Sequence, residues 1–204
     1  MHISEGVLSA PVLAAGAVLT VGGVAVGLKK MDMNEVPKVA VLSSAFFVAS
    51  LIHVPVGPTS VHLVLNGIVG LLLGWVTFPS ILIGLTLQAV LFQFGGFTSL
   101  GVNTFNMAFP ALVCYFLFSP LVRTRSNVLA LVGGAACGAL AVFSGAVLIG
   151  ISLVFTGESF LEVAELTLAA HVPVMIIEGV LTAFCVMFLR KVKPELLGVP
   201  HETR

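Results

Sequence analysis

Residues 127–155 read NVLALVGGAACGALAVFSGAVLIGISLVF, without one charged side chain. A bilayer core of about 30 Å is crossed by ~20 predominantly apolar residues of helix, so this stretch alone is long enough to span. Six further apolar runs fall at 9–28, 39–54, 60–76, 79–95, 104–122 and 166–189. The second and third lie near the short limit for a full span. The chain as a whole is 58% hydrophobic and 9% charged, with a mean hydropathy of +1.16, whereas about a quarter of the residues of a soluble domain are charged. The expected fold is an all-α polytopic membrane protein of seven transmembrane helices. Residues 1–193 form the membrane domain and 194–204 a tail, and 204 residues leave no room for a separate soluble domain.

The basic residues give an orientation. Lys29, Lys30 and Lys38 lie between the first two runs, Arg123 and Arg125 between the fifth and sixth, and Arg190, Lys191 and Lys193 after the last. Seven spans put all three clusters on one side, which the positive-inside rule assigns to the cytoplasm. The N-terminus is then outside and the C-terminus cytoplasmic. Four of the five histidines, His2, His53, His62 and His171, gather at the outer face, while His201 sits in the tail. The break His53-Val54-Pro55-Val56-Gly57-Pro58-Thr59-Ser60 reads as a turn, with Thr59 or Ser60 as a helix N-cap ahead of His62.

Met1-His2 is the stretch with chemistry. Its α-amine, the His2 amide nitrogen once deprotonated, and His2 Nδ1 can close five- and six-membered chelate rings on one metal ion in a nearly planar set. A neutral imidazole supplies the missing fourth donor, and His62 is the candidate. Methionine is retained before a residue as large as histidine. The competing reading is a frayed, solvated terminus. No basic n-region precedes the first apolar run, so a cleaved signal peptide fits poorly.

Polar residues continue inward. Asn66 falls one helical turn after His62 and Glu178 seven residues after His171, each pair on one helix face. Glu178, two turns into the membrane, should face the interior and have a partner. Asn66, Gln88 and Gln93 also fit interhelical hydrogen bonding, and the pairs Gly23/Gly27 and Gly134/Gly138 fit close helix packing. Glu158, Glu162 and Glu165 read as a solvated face. Cys114, Cys137 and Cys185, odd in number and inside apolar runs, read as packing residues. No basic run suggests nucleic acid.

Together these residues carry a resemblance. Met1-His2-Ile3-Ser4-Glu5-Gly6, Pro58-Thr59-Ser60-Val61-His62-Leu63, the run from Gln88 to Gly96, Gly101-Val102-Asn103-Thr104-Phe105-Asn106-Met107 and His171-Val172-Pro173 through Glu178-Gly179 are similar to segments of the CbiM/NikM family. These are the substrate-binding subunits of cobalt and nickel energy-coupling-factor transporters. The resemblance covers nearly the whole chain. It departs at Gly57-Pro58, where relatives often have Gly-Gly, and at Phe94, where they have Asp.

The resemblance implies N-terminal residues tucked into the helical core, so that Met1, His2 and His62 meet around one Co(II) or Ni(II) ion. His53, Asn66, Asn103, Asn106, His171 and Glu178 are candidates for the groups that orient those ligands. The ion is cargo, and no catalytic cofactor is implied. The implied partners are a transmembrane coupling subunit, cytoplasmic ATPases and a small companion membrane subunit, in the plasma membrane of a prokaryote. Cobalamin synthesis or a nickel enzyme would use the ion. The chain has no G-x-x-x-x-G-K-[ST] loop and so no ATPase site of its own. A stand-alone secondary transporter is the alternative, though no internal repeat supports it. An intramembrane metalloenzyme lacks its H-E-x-x-H.

Overall fold

The computed structural model describes residues 1–51, 53–56 and 59–199, excepting the side chains of 53–56 and 59–60. Helix α1, Ala10–Lys30, starts with Pro11 in its first turn, where the missing N–H has no helical partner to lose, and ends on Lys29 and Lys30. Gly16, Thr20, Gly23 and Gly27 form its buried stripe, and Val18, Leu19 and Val21 are exposed. This is the pattern of a helix in lipid, where outward apolar side chains cost nothing and small residues let neighbouring backbones approach. The glycine pair foreseen for packing does pack: Gly23 lies against Phe78 and Gly27 against Pro79.

Next come α2 (Val36–Ala49), a hairpin of β1 (His53–Val56) and β2 (Thr59–His62), and α3 (Asn66–Leu73). The hairpin pairs His53 with His62. After α3 the chain turns through Gly74, at φ +53°, into α4 (Thr77–Phe92). Thr77 Oγ1 donates to the Val69 carbonyl at 3.5 Å, eight residues back, so the chain reverses there. Then follow α5 (Leu100–Val122), α6 (Asn127–Val154) and α7 (Leu161–Val192).

Among the described residues, five segments are long and apolar enough to cross a membrane: Ala10–Lys30, Asn66–Phe92, Leu100–Val122, Asn127–Val154 and Glu158–Val192. The second contains the reversal at Gly74 and is two helices of opposite direction. A mostly helical membrane protein with one two-stranded hairpin is therefore what forms, and two of the expected spans change character. The run 39–54 yields a helix of only 14 residues, and the run 60–76 yields a strand, three irregular residues and a helix of 8. Pro55 accounts for part of this, because it removes a helical donor and biases Val54 before it toward extended backbone. Thr59 and Ser60 thus belong to β2 and cap no helix, and His62 and Asn66 share no helix face.

Helix α3 is buried at every position but Leu72 and sits inside a ring of α5, α6 and α7. An apolar surface all round suits such a place. Arg190 closes one end of the bundle by donating to the carbonyls of Val122 and Thr124 at 2.6 and 2.8 Å, which ends α5. Lys30, Lys38 and Arg123 line one cavity at that same end. The basic clusters therefore do share one end. The chain after α7 folds back, with Leu197 buried and its carbonyl taking the Arg123 Nε proton at 3.0 Å, so residues 194–199 pack on the body. The three cysteines are free thiols, Cys114 and Cys137 buried, in keeping with packing roles.

Helices α6 and α7 cross closely. A Cβ on Gly138 would meet the Glu178 carbonyl and approach Thr182 Oγ1 to 2.5 Å. Gly138→Leu is expected to lower stability by about 1–3 kcal/mol, read as a fall in the thermal unfolding midpoint in detergent. An unchanged midpoint would show that the two helices are not in close contact there.

Candidate metal centre

The N-terminal arm runs inward. Met1 and Ile3 are wholly buried and His2 is 4% exposed, all at the end of the bundle opposite the basic clusters. The frayed terminus is thereby overturned. Two devices hold the arm. Asn103, on the first turn of α5, accepts from Ile3 N–H at 2.9 Å and donates to Ile3 C=O at 3.0 Å, as a neighbouring strand would. The Met1 side chain lies in the main core, where a Cβ on Gly145 would stand 2.6 Å from Met1 Cε. Glu5 accepts from Thr98 N–H and Oγ1–H, tying the arm to the loop before α5.

The tautomers of the two central histidines follow from a chain of hydrogen bonds. Ser50 Oγ–H donates to the Phe47 carbonyl at 2.8 Å, so its oxygen accepts from the Gln88 amide. Gln88 Oε1 then faces His2 Nε2 at 2.6 Å, and that nitrogen carries the proton. His2 Nδ1 is left with its lone pair. His62 Nδ1–H donates to the Leu63 carbonyl at 2.7 Å, which leaves the lone pair on Nε2. The two bare nitrogens face each other at 3.0 Å, with ring centroids 4.5 Å apart. Facing acceptors repel unless a cation is shared between them.

Burial holds the Met1 amine well below the usual range of a chain terminus, because the charged form is costly away from water. His62 is likewise pushed well below an ordinary histidine, first by burial and then by the charges of the terminus, His2 and His171; only the Leu63 carbonyl opposes this. Both groups take up a proton less readily than their exposed counterparts. Among the described residues no three His, Cys, Asp or Glu side chains lie close enough to hold an ion.

The remaining candidates separate. Glu178, wholly buried, accepts at Oε1 from the N–H groups of Val64 at 2.5 Å and Leu65 at 2.8 Å. Leu65 has φ +54°, a left-handed conformation that a non-glycine residue holds only when its surroundings insist. The carboxylate thus fixes the strained backbone two and three residues beyond His62. His171 is wholly buried on the same face of α7; its Nδ1–H donates to the Thr167 carbonyl at 2.7 Å and its Nε2 has no partner among the described residues. Asn66 reaches the carbonyls of Met107 and Ala141 at 3.5 and 3.4 Å, and Asn106 reaches Ser152 Oγ at 3.3 Å. Both join helices and neither touches a histidine. The His53 side chain and His201 lie outside the described residues. The histidines foreseen at an outer face are therefore interior groups: His62 is 3% exposed and His171 fully buried.

Gln88 was read only as a helix-joining amide, and nothing in its apolar run marks it as the partner of His2. Gln93 is exposed and ends α4 in the left-handed region. Glu158, Glu162 and Glu165 are exposed, as read. Phe94 sits near His2, ring centroids 6.5 Å apart, and contributes no acidic group. Gly95, at φ +77°, lies against Asn103 and the His2 ring, where a Cβ would come to 3.0 and 3.5 Å.

Comparison with known proteins bears on this site. The family model described as the cobalt uptake substrate-specific transmembrane region, CbiM, matches residues 2–196. A Haemophilus influenzae protein named "Putative metal transport protein" is 43% identical, covering 97% of both chains. The cobalt transport protein CbiM of Sorangium cellulosum is 29% identical over 97% of this chain and 94% of its own. A crystal structure of a transition metal transporter superposes with a TM-score of 0.73 at 28% identity, covering 94% of this chain and 93% of that one.

Glu178→Leu leaves the Val64 and Leu65 amides buried without acceptors. It should cost about 2–5 kcal/mol and accelerate hydrogen exchange at those two amides in mass spectrometry. Exchange unchanged at both would remove Glu178 from this role.

Proposed function

This chain belongs to the CbiM family of cobalt-uptake substrate-specific transmembrane proteins, and from that membership we propose that it is the ion-capturing subunit of an ATP-driven energy-coupling-factor importer for Co(II) or Ni(II). That it is a membrane component of metal uptake follows from the family. The donor set, the energy source, the partners and the plasma membrane of a prokaryote as its location are the proposal.

One observation carries the donor set: two imidazole nitrogens, each unprotonated because the other nitrogen of its ring donates to a fixed partner, stand 3.0 Å apart beside a buried chain terminus. Imidazole nitrogens bind such ions at about 2.0–2.1 Å, so a right-angle pair is separated by roughly 2.8–3.0 Å and a tetrahedral pair by roughly 3.3–3.4 Å. The separation matches the right angle. In a planar set, His62 Nε2 takes the corner beside His2 Nδ1 and opposite the His2 amide nitrogen, and the Met1 amine takes the corner across from Nδ1. Planar nitrogen coordination suits Ni(II) and disfavours tetrahedral Zn(II). Relatives are named for both cobalt and nickel, so the geometry leaves the cargo as either.

In this reading the ion enters at the end of the bundle opposite the basic clusters, the outer end by the positive-inside rule. It exchanges its water for four nitrogens, and the His2 amide proton leaves to solvent. Gln88 and the Leu63 carbonyl hold the two rings in the binding tautomers throughout. ATP hydrolysis and coupling belong to partner subunits, and the resemblance adds a small companion membrane subunit.

The lowered proton affinities change the pH dependence expected from sequence. An ordinary amine near 8 would make affinity fall as pH drops below that value. Burial lowers the proton affinity of both the amine and His62. The fall in metal affinity that their protonation causes should therefore lie at lower pH than an ordinary amine would give, which metal titrations across pH measure. Stability follows the same sign. In the unfolded chain the two groups take up protons below about 8 and 6.5, and in the fold they resist. The fold loses stability as pH falls through that window and below, until the folded groups also protonate.

The test is metal affinity of the purified chain with and without one extra residue ahead of Met1. The native chain is expected to bind about one Ni(II) or Co(II), and the extended chain none at the same concentration. Equal binding by both would remove the amine from the site and the proposed donor set with it. Gln88→Leu, which frees the His2 tautomer, is expected to weaken binding roughly 10–100-fold with His62 and the terminus intact; isothermal titration of the two proteins measures it.

A further inference from the structure

At the opposite end of the bundle is a second built feature that metal capture does not use. A cavity of about 450 Å³ is lined by Lys30 at the end of α1, Lys38 on α2 and Arg123 after α5. Lys30 Nζ stands 5.2 Å over the Trp75 ring and the Arg123 guanidinium 5.8 Å over Tyr115. Lys38 pairs with Glu35 at 2.5 Å, whereas Lys30 and Arg123 rest on ring faces and not on a carboxylate among the described residues. Glu195 is the other acidic residue of the lining. The cations outnumber the carboxylates.

A second space adjoins this basic cavity. A groove of about 550 Å³ runs between α2 and α7 over the outer face of α3, with Val41 and Phe184, both about two-thirds exposed, on its two rims. Lys38, Leu72 and Leu196 line both spaces, so basic cavity and apolar groove adjoin. Leu72, the one exposed-side position of α3, is their common wall. The groove continues along the bundle as far as Leu65.

We propose that the cavity and groove form a binding site for one anionic phospholipid, the phosphate at Lys30 and Arg123 and an acyl chain along the groove between α2 and α7. Three features favour a lipid. The groove faces the hydrocarbon of the membrane, its mouth lies where headgroups lie, and the charge at that mouth is opposite to a phosphate. The aromatic rings beneath the cations mark the same interfacial level. The end concerned is the one that positive-inside orientation puts in the cytoplasm, the leaflet face with an anionic surface.

The chain has one tryptophan, and Trp75 is in the wall of this cavity, so its fluorescence reports occupancy directly. The full chain is placed in phosphatidylcholine vesicles, and phosphatidylglycerol brominated near the headgroup is added in steps. The expected result is quenching of Trp75 at a mole fraction at least roughly tenfold below that needed with equally brominated phosphatidylcholine. In Lys30→Gln/Arg123→Gln, each lost cation should cost about fivefold, removing the preference. Ni(II) affinity at the far end should be unchanged and shows that this variant is folded. Equal quenching of the native chain by the two lipids overturns the proposal without need of the variant. So does loss of the preference on adding inorganic phosphate, which would make the cavity a site for free anions. Abolition of quenching by a co-purified membrane subunit, with no lipid retained once it is removed, would make the groove a protein interface.

Discussion

Two imidazole nitrogens with their lone pairs turned toward one another are an arrangement a folded chain cannot hold for its own sake. Each ring must be prevented from relaxing into a hydrogen bond with the other, and here hydrogen bonds prevent it: the second nitrogen of each ring already donates its proton elsewhere. His62 donates to the carbonyl of its own neighbour, Leu63. His2 donates to Gln88, whose orientation is set in turn by Ser50 and the Phe47 carbonyl. Removal of any one link frees a ring to choose its other tautomer.

The rest of the architecture serves to bring those rings together. His2 reaches the interior because α1 keeps a stripe of small residues on its inner face and the arm before it is clamped by Asn103 and seated beside Gly145. His62 reaches it because residues 59–65 are not helical, and the strained residue just before α3 is held by a carboxylate from α7. Glu178 can do this only because α6 approaches α7 closely at Gly138. A membrane interior makes each of these contacts expensive to leave unmade, since no water is there to replace a lost partner.

Much of this was legible in the sequence. Seven apolar runs, three basic clusters and a Met-His start are linear signals, and the structure brings the basic clusters to one end and the start into the core. The reversal at Gly74 was hidden because both halves of 66–92 are apolar, and composition cannot distinguish one long helix from two that fold back. The strand at 59–62 was hidden for a related reason: Val54, Val56 and Val61 suit both strand and membrane helix, and only the prolines argued for the former. Roles that depend on long-range geometry were not readable. Gln88 looks like any amide in a span until His2 is placed 2.6 Å away. Glu178 announced that it needed a partner, yet its partners are backbone amides, which carry no residue signature.

The central claim is that the chain terminus and two histidines make a planar set of four nitrogens. X-ray absorption and magnetic measurement on the Ni(II)-loaded native chain test it most directly. The account predicts a diamagnetic ion with four nitrogen neighbours and the edge feature of square-planar geometry. A paramagnetic, six-coordinate ion with oxygen neighbours would contradict it and move the site away from Met1 and His2.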